Sequence, residues 1–501
     1  MRARPLVPLL LLAAIGTIYA CEDSSAPTAF NPPPTTVPPQ GDAGTERDAA
    51  RPVADASMDA PIDASLPPAS PSGVLDLTFN SKGFITRIGS NGGTNDQADD
   101  LALDSLGRIL VTGSSTGADV KAAVWRFTSA GAVDSTFGTG GVWLKSGSFV
   151  SATYEAAGAI AIDAQDRPVV TGQSNNNAPY YMATWRLTTA GVLDTTLAGT
   201  GFYGATSTVG AGGYDYGAAV TVDAAGNILV AGFSTVSPSN IDLCVWRHST
   251  TGVLDSAGFA TPKGYFSEHG ASNPTANPFD TANRVVIDGT GRIVLSATSF
   301  TGSATQGLVV RLTSAGVIDT TFNTTGLRLI TGVDGVVGGA AFDGTNGLAL
   351  DGTGRIVVGG STVDAAGHYH AYVTRLTSSG AIDTTFGTSG FTILPSPKNA
   401  NVTFGGRLAL DSKGRIVVVG SGDGNLAAWR LSTDGALDAT FGTAGLFVTT
   451  ATASSTLGDG GTPVVDNATS VKIDSLDRAV ISGTSGNATN GFAMAVWRLT
   501  P

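Results

Sequence analysis

The chain has 501 residues, only 14% of them charged, and its formal net charge is −12. Binding to nucleic acid requires a basic surface, so this charge excludes a nucleic-acid-binding role. The 67 glycines, together with many Thr, Ser and β-branched residues, indicate short strands joined by tight turns.

The first 20 residues have the pattern of an export signal. Arg2 and Arg4 form a positive start, and the apolar run Leu6–Ile18 is too short to span a bilayer. The run ends in Ile18-Tyr19-Ala20-Cys21, which resembles the lipobox of bacterial lipoproteins. The resemblance implies cleavage before Cys21, lipidation of its thiol, and an extracytoplasmic place at the outer membrane or cell surface. Ordinary secretion is the alternative, because Tyr19 is bulkier than that pattern usually shows.

Residues 21–72 are predicted to form a disordered tether. They are rich in Pro, Ala, Asp and Thr and have too few apolar groups to offset the entropy of ordering. The prolines keep such a segment extended. Cys21 is expected to have no disulfide partner, since the other cysteine, Cys244, lies in a strand pattern and is interpreted as an inert, buried thiol.

A unit of about sixty residues recurs over residues 73–501. An arginine marks each copy, and in the first six copies an aspartate follows eight residues later. A fixed period of this size in β-rich sequence is typical of propellers and solenoids, whose units bury a core only by stacking. The repeats fill this part of the chain, so it is predicted to be one domain. The arginines are Arg126, Arg186, Arg247, Arg311, Arg375, Arg430 and Arg498.

Each unit contains four short apolar segments. In the second unit the predicted strands are Ala159–Ile162, Pro168–Thr171, Met182–Leu187 and Gly201–Tyr203. The first turn reads Asp-x-x-Gly-Arg in most copies, where Gly supplies the positive φ of a tight hairpin. The second strand is apolar on both faces and must be covered on both sides. Four-stranded units repeated radially describe an all-β fold, the β-propeller.

The turn after the arginine resembles the delta-60 repeat family of bacterial surface proteins. Val133-Asp134-Ser135-Thr136-Phe137-Gly138 carries the resemblance, as do strands of the type Gly-Arg-Ile-Val-Val-Gly, over residues 73–501. The family implies a propeller-like architecture and carries no general enzymatic assignment. Leu197 replaces the Phe in one copy, and Asp166 and Asp477 replace the turn glycine in others, so altered turns are expected there.

The chain begins with the end of a unit and stops without one. An Asp-x-Thr-Phe turn and the strand Gly83–Ile88 open the repeats, whereas Val496–Leu499 closes them. The two fragments sum to one blade. The prediction is a seven-bladed β-propeller whose last blade is completed by the N-terminal strand, beside Ala479–Ser482 and Met494–Leu499. Joining the ends in this way removes open sheet edges.

The repeated arginines have two interpretations. They could be anion-binding groups, or each could tie its blade together by pairing with the aspartate of a nearby turn. Their presence at one position of every unit favours the structural role, to which the planar guanidinium is suited. Trp precedes the arginine in five copies and is expected to pack between blades.

An acidic residue stands eight positions before the aspartate that ends each first strand, except at Thr403. These residues are predicted to lie just ahead of the first strands, around one mouth of the central channel. One interpretation is a site for a cation, Ca²⁺ with oxygen ligands being favoured. The other is that each carboxylate braces its own loop through backbone N–H bonds. The residues are Asp96, Glu155, Asp215, Asp280, Asp343 and Asp466.

Three of the four histidines lie in loops of variable length, which in a propeller share one face. His269 is in a long loop between blades, and His368 and His370 flank Tyr369 between a second and a third strand. Alternate residues of an extended segment point to one side, which suits a metal. No third ligand has a diagnostic spacing, and exposed loop histidines without a ligand are the alternative.

The favoured function is a lipid-anchored binding scaffold that takes a protein, glycan or small ligand on its variable-loop face. It is expected to be a monomer that touches the membrane only through its lipid. No catalytic residue is identified. The alternatives are a propeller enzyme of the hydrolase, lyase or dehydrogenase class, with its site at the channel mouth, and a purely structural envelope protein.

These functions predict different surfaces. An enzyme should have one cluster of non-repeated polar residues near the axis. A binding face should have exposed aromatic side chains, for which the candidates are Tyr214, Tyr216, Tyr265, Tyr369 and Tyr372.

Overall fold

The computed structural model describes residues 71–149, 154–175, 180–210, 213–237, 240–271, 279–300, 304–333, 343–397, 403–422, 424–449, 465–487 and 491–501. The predicted signal, Cys21 and the tether up to residue 70 lie outside these ranges. Within them the regular elements are β-strands, as predicted, and there is no α-helix. Accordingly, no helix in the described ranges has the length and apolarity that crossing a bilayer requires.

The strands follow one another at short intervals along the chain. The first fourteen are β1 (Phe84–Arg87), β2 (Asn95–Leu103), β3 (Ile109–Thr116), β4 (Val120–Phe127), β5 (Val142–Lys145), β6 (Tyr154–Ile162), β7 (Pro168–Asn175), β8 (Tyr180–Arg186), β9 (Phe202–Ala205), β10 (Asp215–Val222), β11 (Ile228–Ser237), β12 (Asn240–His248), β13 (Tyr265–Glu268) and β14 (Phe279–Ile287). The others are β15 (Ile293–Phe300), β16 (Thr305–Leu312), β17 (Leu327–Ile330), β18 (Asp343–Leu350), β19 (Ile356–Val363), β20 (Tyr369–Leu376), β21 (Phe391–Ile393), β22 (Thr403–Leu410), β23 (Ile416–Gly422), β24 (Asn425–Leu431), β25 (Leu446–Val448), β26 (Val465–Ile473), β27 (Ala479–Asn487) and β28 (Gly491–Leu499).

Successive strands pair antiparallel in groups of four, and we call each group a unit. The units β2–β5, β6–β9 and β10–β13 are each continuous in sequence. So are β14–β17, β18–β21 and β22–β25. Strands β26–β28 pair likewise, and the fourth strand of their unit is β1, which places Phe84 opposite Trp497. The predicted pairing of the N-terminal strand with the last strands is therefore present.

The first strands of the units contact one another in succession, from β2 through β6, β10, β14, β18 and β22 to β26, and β26 in turn contacts β2. Between units lie hydrophobic cores. One of them joins the two ends of the chain, because Phe79 and Trp125 pack with Val480 and Met494. The predicted burial of the second strand on both faces is confirmed in β3, where Ile109, Leu110 and Val111 are at most 1% exposed.

Each first strand contains a β-bulge at the same place, and this makes the first strands longer than predicted. In β6 the register shifts between Ala157 and Ala159, and pairing resumes on the far side as far as Tyr154. A bulge adds a residue without ending the ladder, so a segment interpreted as loop continues as strand. Equivalent shifts occur in β2, β10, β14, β18, β22 and β26.

Two local predictions have different outcomes. Cys244 in β12 is fully buried, as expected, and burial raises the pKa of its thiol well above the ordinary value. The expected alteration of the turns at Asp166 and Asp477 is wrong. Both residues adopt a positive φ, 59° and 60°, and keep the hairpin hydrogen bonds that glycine makes in the other copies. Aspartate tolerates this left-handed conformation better than most residues.

Candidate functional site

The repeated arginines join neighbouring units. Arg186 donates from Nε to Asp194 Oδ2 over 2.8 Å and from Nη2 to Thr196 Oγ1 over 2.9 Å. Its Nη1 donates over 2.7 Å to the carbonyl of Thr250, which lies in the next unit. Arg498 closes the series, since it pairs with Asp76 and reaches the carbonyl of Ser129 in the β2–β5 unit. These bonds are the ones expected of the structural interpretation. Equivalent bonds to the next unit are made by Arg126, Arg247, Arg311 and Arg375.

The acidic residues predicted at a channel mouth lie inside the first strands and are at most 2% exposed. Asp96 accepts hydrogen bonds from the backbone N–H and hydroxyl of Ser90, at 3.0 and 2.6 Å, and from the hydroxyl of Ser115 on β3. The indole of Trp125 donates to the same Ser90 hydroxyl over 2.8 Å. The carboxylate therefore links the loop before its strand to the second strand and to the buried tryptophan.

The other members of this set make related contacts. Glu155 accepts from Ser148 and Ser174, and Asp215 from Thr208 and Ser234. Asp280, Asp343 and Asp466 accept from Ala271, from Gly332 and Thr362, and from Ser485. Burial raises the pKa of Asp215 and Asp280, although hydrogen bonds oppose it. Each of the six is the first or second residue of a first strand, because the bulges extend these strands beyond the predicted bounds. The contacts are those of the loop-bracing interpretation.

A cluster that sequence reasoning missed lies where the first strands meet. The residues at and just after the bulge are small in several strands, as at Gly158 and Ala159 in β6. In other strands they are charged. These are Asp99 and Asp100 in β2, Arg284 in β14 and Arg407 in β22. Lys472 lies two residues further along β26 than Ser470, which follows the bulge there. We call Asp99, Asp100, Arg284, Arg407 and Lys472 the first-strand cluster.

Asp100 ties three first strands together. Its carboxylate accepts from the hydroxyl of Ser470 on β26 over 2.8 Å and from the N–H of Ile160 on β6 over 3.1 Å. Asp100 is fully buried, whereas its neighbour Asp99 is half-buried. Burial, and then the negative charge of Asp100, raise the pKa of Asp99 to about 8. Asp99 is therefore largely protonated at neutral pH.

Two of the basic members, Arg284 and Lys472, interact electrostatically with each other. Burial lowers the pKa of Lys472 to about 8, while the charge of Asp100 raises it and that of Arg284 lowers it further. Arg284 on β14 and Lys472 on β26 belong to units that are not successive, so their interaction indicates that both project towards the common centre. Arg407 follows the bulge of β22 as Arg284 follows that of β14, and both are buried. An acid and a base with pKa values near neutrality are suited to proton transfer, and the cationic groups to holding an anion.

The histidines fall into two settings. His269 lies 2.9 Å from Asp242, measured from Nδ1 to Oδ1. His368 and His370 come together with Asp364, which sequence reasoning missed. Its Oδ2 lies 3.0 Å from His368 Nδ1 and 3.3 Å from His370 Nε2. The missed signal is the spacing Asp-x-x-x-His-x-His between β19 and β20.

The predicted aromatic binding face is not formed as expected. Tyr372 is fully buried, and burial raises the pKa of its hydroxyl. Tyr214, Tyr216, Tyr265 and Tyr369 are half-buried. Tyr214 and Tyr216 each pack on another ring, those of Tyr180 and Phe233, with centroids 4.8 and 5.4 Å apart.

Comparison with known proteins supports a repeat family with this fold. Four segments, residues 107–137, 289–322, 352–386 and 414–441, match the family described as a domain of unknown function (DUF5122) β-propeller. The chain has a β-propeller fold built from repeats. No curated protein matches the sequence.

Several solved structures are similar at low identity. A polysaccharide lyase, Uly1, has a TM-score of 0.47 at 10% identity and covers 81% of this chain and 91% of its own. Sqt1 of Chaetomium thermophilum, bound to the N-terminus of ribosomal protein L10, has a TM-score of 0.40 at 14% identity, covering 78% and 85%. XC5397 of Xanthomonas campestris, a gluconolactonase, has a TM-score of 0.31 at 12% identity, covering 68% and 92%. Likeness at this level assigns no activity.

Proposed function

We propose that the protein is a lipid-anchored, extracytoplasmic binding protein that holds an anionic ligand at the first-strand cluster. The observation that carries the proposal is the break in the repeat at this place. Where β6 and β10 have Ala159 and Ala219 after the bulge, β14 and β22 have Arg284 and Arg407. A repeat keeps its structural residues in every copy, so charged residues present in a few copies call for a separate explanation.

The charge balance of the cluster favours an anion. The cluster has three basic side chains, Arg284, Arg407 and Lys472. Of its two carboxyl groups, Asp99 is largely protonated at neutral pH and Asp100 accepts hydrogen bonds from Ser470 and Ile160. Charges of one sign in a low-dielectric recess focus the field and attract the opposite charge. Guanidinium groups bind carboxylate, phosphate and sulfate through paired hydrogen bonds. The ligand class is therefore a small molecule or glycan that carries one of these groups.

This proposal replaces the Ca²⁺ ligand expected from the sequence. The six acidic residues that were to bind Ca²⁺ are buried and accept hydrogen bonds from nearby hydroxyl or backbone N–H groups. A carboxylate oxygen that already accepts such bonds would have to give them up to coordinate a cation.

An enzyme is the second candidate, and the pair Asp99 and Lys472 favours it. Both pKa values lie near 8, so an acid and a base are available together at the pH where proton transfer is efficient. The variant Asp99→Asn separates the two functions. A binding protein should keep its affinity for anions in this variant, whereas an enzyme should still bind substrate and lose turnover.

We infer further that the units close into a seven-bladed propeller. The contact of β26 with β2, the shared core of Phe79, Trp125 and Met494, and the bond from Arg498 to Ser129 support this closure. The lipid anchor at Cys21 is supported by the Ile18–Cys21 pattern alone. Metabolic labelling with an alkyne fatty acid should mark the wild-type protein and leave Cys21→Ala unmarked.

Thermal unfolding at pH 7 tests the ligand proposal, with sodium phosphate, sulfate or galacturonate added at constant ionic strength. A ligand that binds the native state raises the midpoint with concentration, equivalent to about 2.7 kcal/mol at one hundred times its Kd. At least one anion should raise the midpoint of the wild type, and Lys472→Met should lose the shift. Lys82→Met, at an exposed position, is the control. No shift with any anion, or an unchanged shift in Lys472→Met, would refute the proposal.

A further inference from the structure

The loop after β19 and the start of β20 contain the one group of three metal-ligating side chains found in the described ranges: Asp364, His368 and His370. Each offers one ligand atom, and these atoms all lie within 4.8 Å of one another. The three side chains are partly exposed, at 27%, 39% and 23%. The loop lies at the end of its unit where β18 begins, so it is separate from the hairpin turn between β18 and β19.

The backbone of this loop repeats the Asp-x-x-Gly-Arg turn found between first and second strands. In that turn Asp104 accepts from the N–H of Leu106 and Arg108 through Oδ1, at 3.0 and 2.9 Å. Its Oδ2 accepts from Arg108 Nε over 2.6 Å. Asp364 accepts from the N–H of Ala366 and His368 in the same way, at 2.8 and 2.9 Å.

The chemistry differs at the fifth position of the turn. There His368 stands where six of the seven turns between first and second strands have arginine and the seventh has Asn227, so an imidazole takes the place of a permanently charged donor. His370 adds a second imidazole, because alternate residues of a strand lie on one side of it. Two ring nitrogens thus converge on one carboxylate oxygen. The hydrogen bond from the backbone N–H of His368 lowers the pKa of Asp364 well below its ordinary value. Desolvation opposes this shift, and the hydrogen bonds from both rings add to it.

The distances fit a tetrahedral metal. Zinc binds His nitrogen at 2.0–2.1 Å and carboxylate oxygen at 2.0–2.2 Å, so two ligand atoms of a tetrahedron lie about 3.3–3.5 Å apart. The separations of 3.0 and 3.3 Å between Asp364 Oδ2 and the two ring nitrogens are close to that value. A set of two imidazoles and one carboxylate favours borderline divalent metals such as Zn²⁺ over Ca²⁺ and Mg²⁺, which prefer oxygen ligands.

We propose that Asp364, His368 and His370 form a binding site for a divalent transition metal, with Zn²⁺ as the favoured ion. Three protein ligands leave a fourth position, which water or a donor atom of a partner molecule would fill. The site lies at the end of its unit where the first strand, β18, begins, and it includes no residue of the first-strand cluster.

Zinc titration of the purified full-length protein, without a polyhistidine tag and after treatment with chelator, tests the site. We expect one zinc ion per chain by elemental analysis and a thermal midpoint that rises with Zn²⁺ concentration. His370→Gln should weaken zinc binding by about 100-fold or more, since even residues that only support a metal ligand cost 10–100-fold. Zinc binding should also weaken in acid, because imidazole must be unprotonated to bind metal.

Two further variants make the result decisive. His368→Arg gives this loop the Asp-x-x-Gly-Arg sequence of the turn between first and second strands. The variant should therefore unfold at the wild-type midpoint in chelator and yet fail to bind zinc. His269→Gln removes a histidine that is paired with a single carboxylate, Asp242, and should bind zinc as the wild type does. The proposal is wrong if the wild type binds no zinc, or if His370→Gln and His368→Arg bind it with unchanged affinity. In that case the loop holds only a proton-dependent ion pair.

Discussion

Replacing Asp76 by alanine tests whether the two ends of the chain hold the fold together. Asp76 and Arg498 are 422 positions apart, yet Arg498 Nε lies 2.8 Å from Asp76 Oδ2. Their side chains are only 8% and 3% exposed. Removal of the carboxylate would leave the guanidinium buried over the ring of Phe79 without its strongest partner. Breaking a buried ion pair in this way costs about 3–5 kcal/mol of unfolding free energy.

The chain contains a matched control for this experiment. Arg311 and Asp319 make the same bond over 2.7 Å with side chains 3% and 8% exposed, but they are eight positions apart within one repeat. In a closed ring, Asp76→Ala and Asp319→Ala should reduce the unfolding free energy by similar amounts in a single transition. Urea unfolding followed by tryptophan fluorescence measures both, since Trp125 and Trp497 lie in the cores that contain residues of β1.

Closure would be refuted by different effects of the two variants on the urea midpoint. If the β1 segment frays independently, Asp76→Ala would leave the main urea midpoint unchanged while Asp319→Ala lowers it. Repeat arrays that are open lose cooperativity in this way, because each unit contacts only its neighbours. Equal shifts in both variants would mean that a contact between the chain ends contributes as much as a contact within a repeat.

Three further predictions concern titration and the acidic residues. The pKa of Asp319 and of Asp438 is lowered, because hydrogen bonds and a nearby arginine outweigh the effect of burial. Carboxylates of this kind stabilise the fold above a pH of about 4 and lose that effect in acid. The urea midpoint of the wild type should therefore fall between about pH 5 and pH 2. Asp99, whose pKa is raised, gives the opposite pH dependence of the unfolding free energy: its contribution is complete below a pH of about 4 and is lost as the pH rises to about 8. Asp99→Asn should therefore match the wild type in urea midpoint at pH 4 and exceed it at pH 8, and equal midpoints at both pH values would contradict the assigned environment. Asp215→Ala should cost about 1–3 kcal/mol of unfolding free energy through the lost bonds from Thr208 and Ser234, and adding calcium to chelator-treated protein should leave the wild-type melting curve unchanged; a rise in the melting midpoint with calcium would restore the cation interpretation.

The repeat made the fold accessible from the sequence. Arginine, tryptophan and aspartate recur at fixed spacing because each unit needs the same ion pair and the same wedge between sheets, and Arg186 shows both the bond within its unit and the bond to the next. The phase of the repeats gave the pairing of β1 with β28. The bulge could not be predicted from the sequence, because one extra residue in a strand needs no particular side chain. Asp99, Gly158, Ala218 and Thr469 occupy it in different units.

The first-strand cluster and Asp364 escaped sequence reasoning for a related reason, whereas His368 and His370 were already candidates for a metal. A search for what recurs finds the residues that build the scaffold, and the buried carboxylate of Asp96 belongs to that group. Sites of function on a repeated scaffold should instead lie where one copy departs from the others. Arg284 and Arg407 stand where other first strands have alanine after the bulge. The turn between β19 and β20 has His368 where most turns between first and second strands have arginine. Aligning the units in phase and asking which positions change charge would have found the arginines, because a charge placed in a buried position has an energetic cost that packing alone does not explain. Comparing the turns within one unit would have found Asp364 and His368.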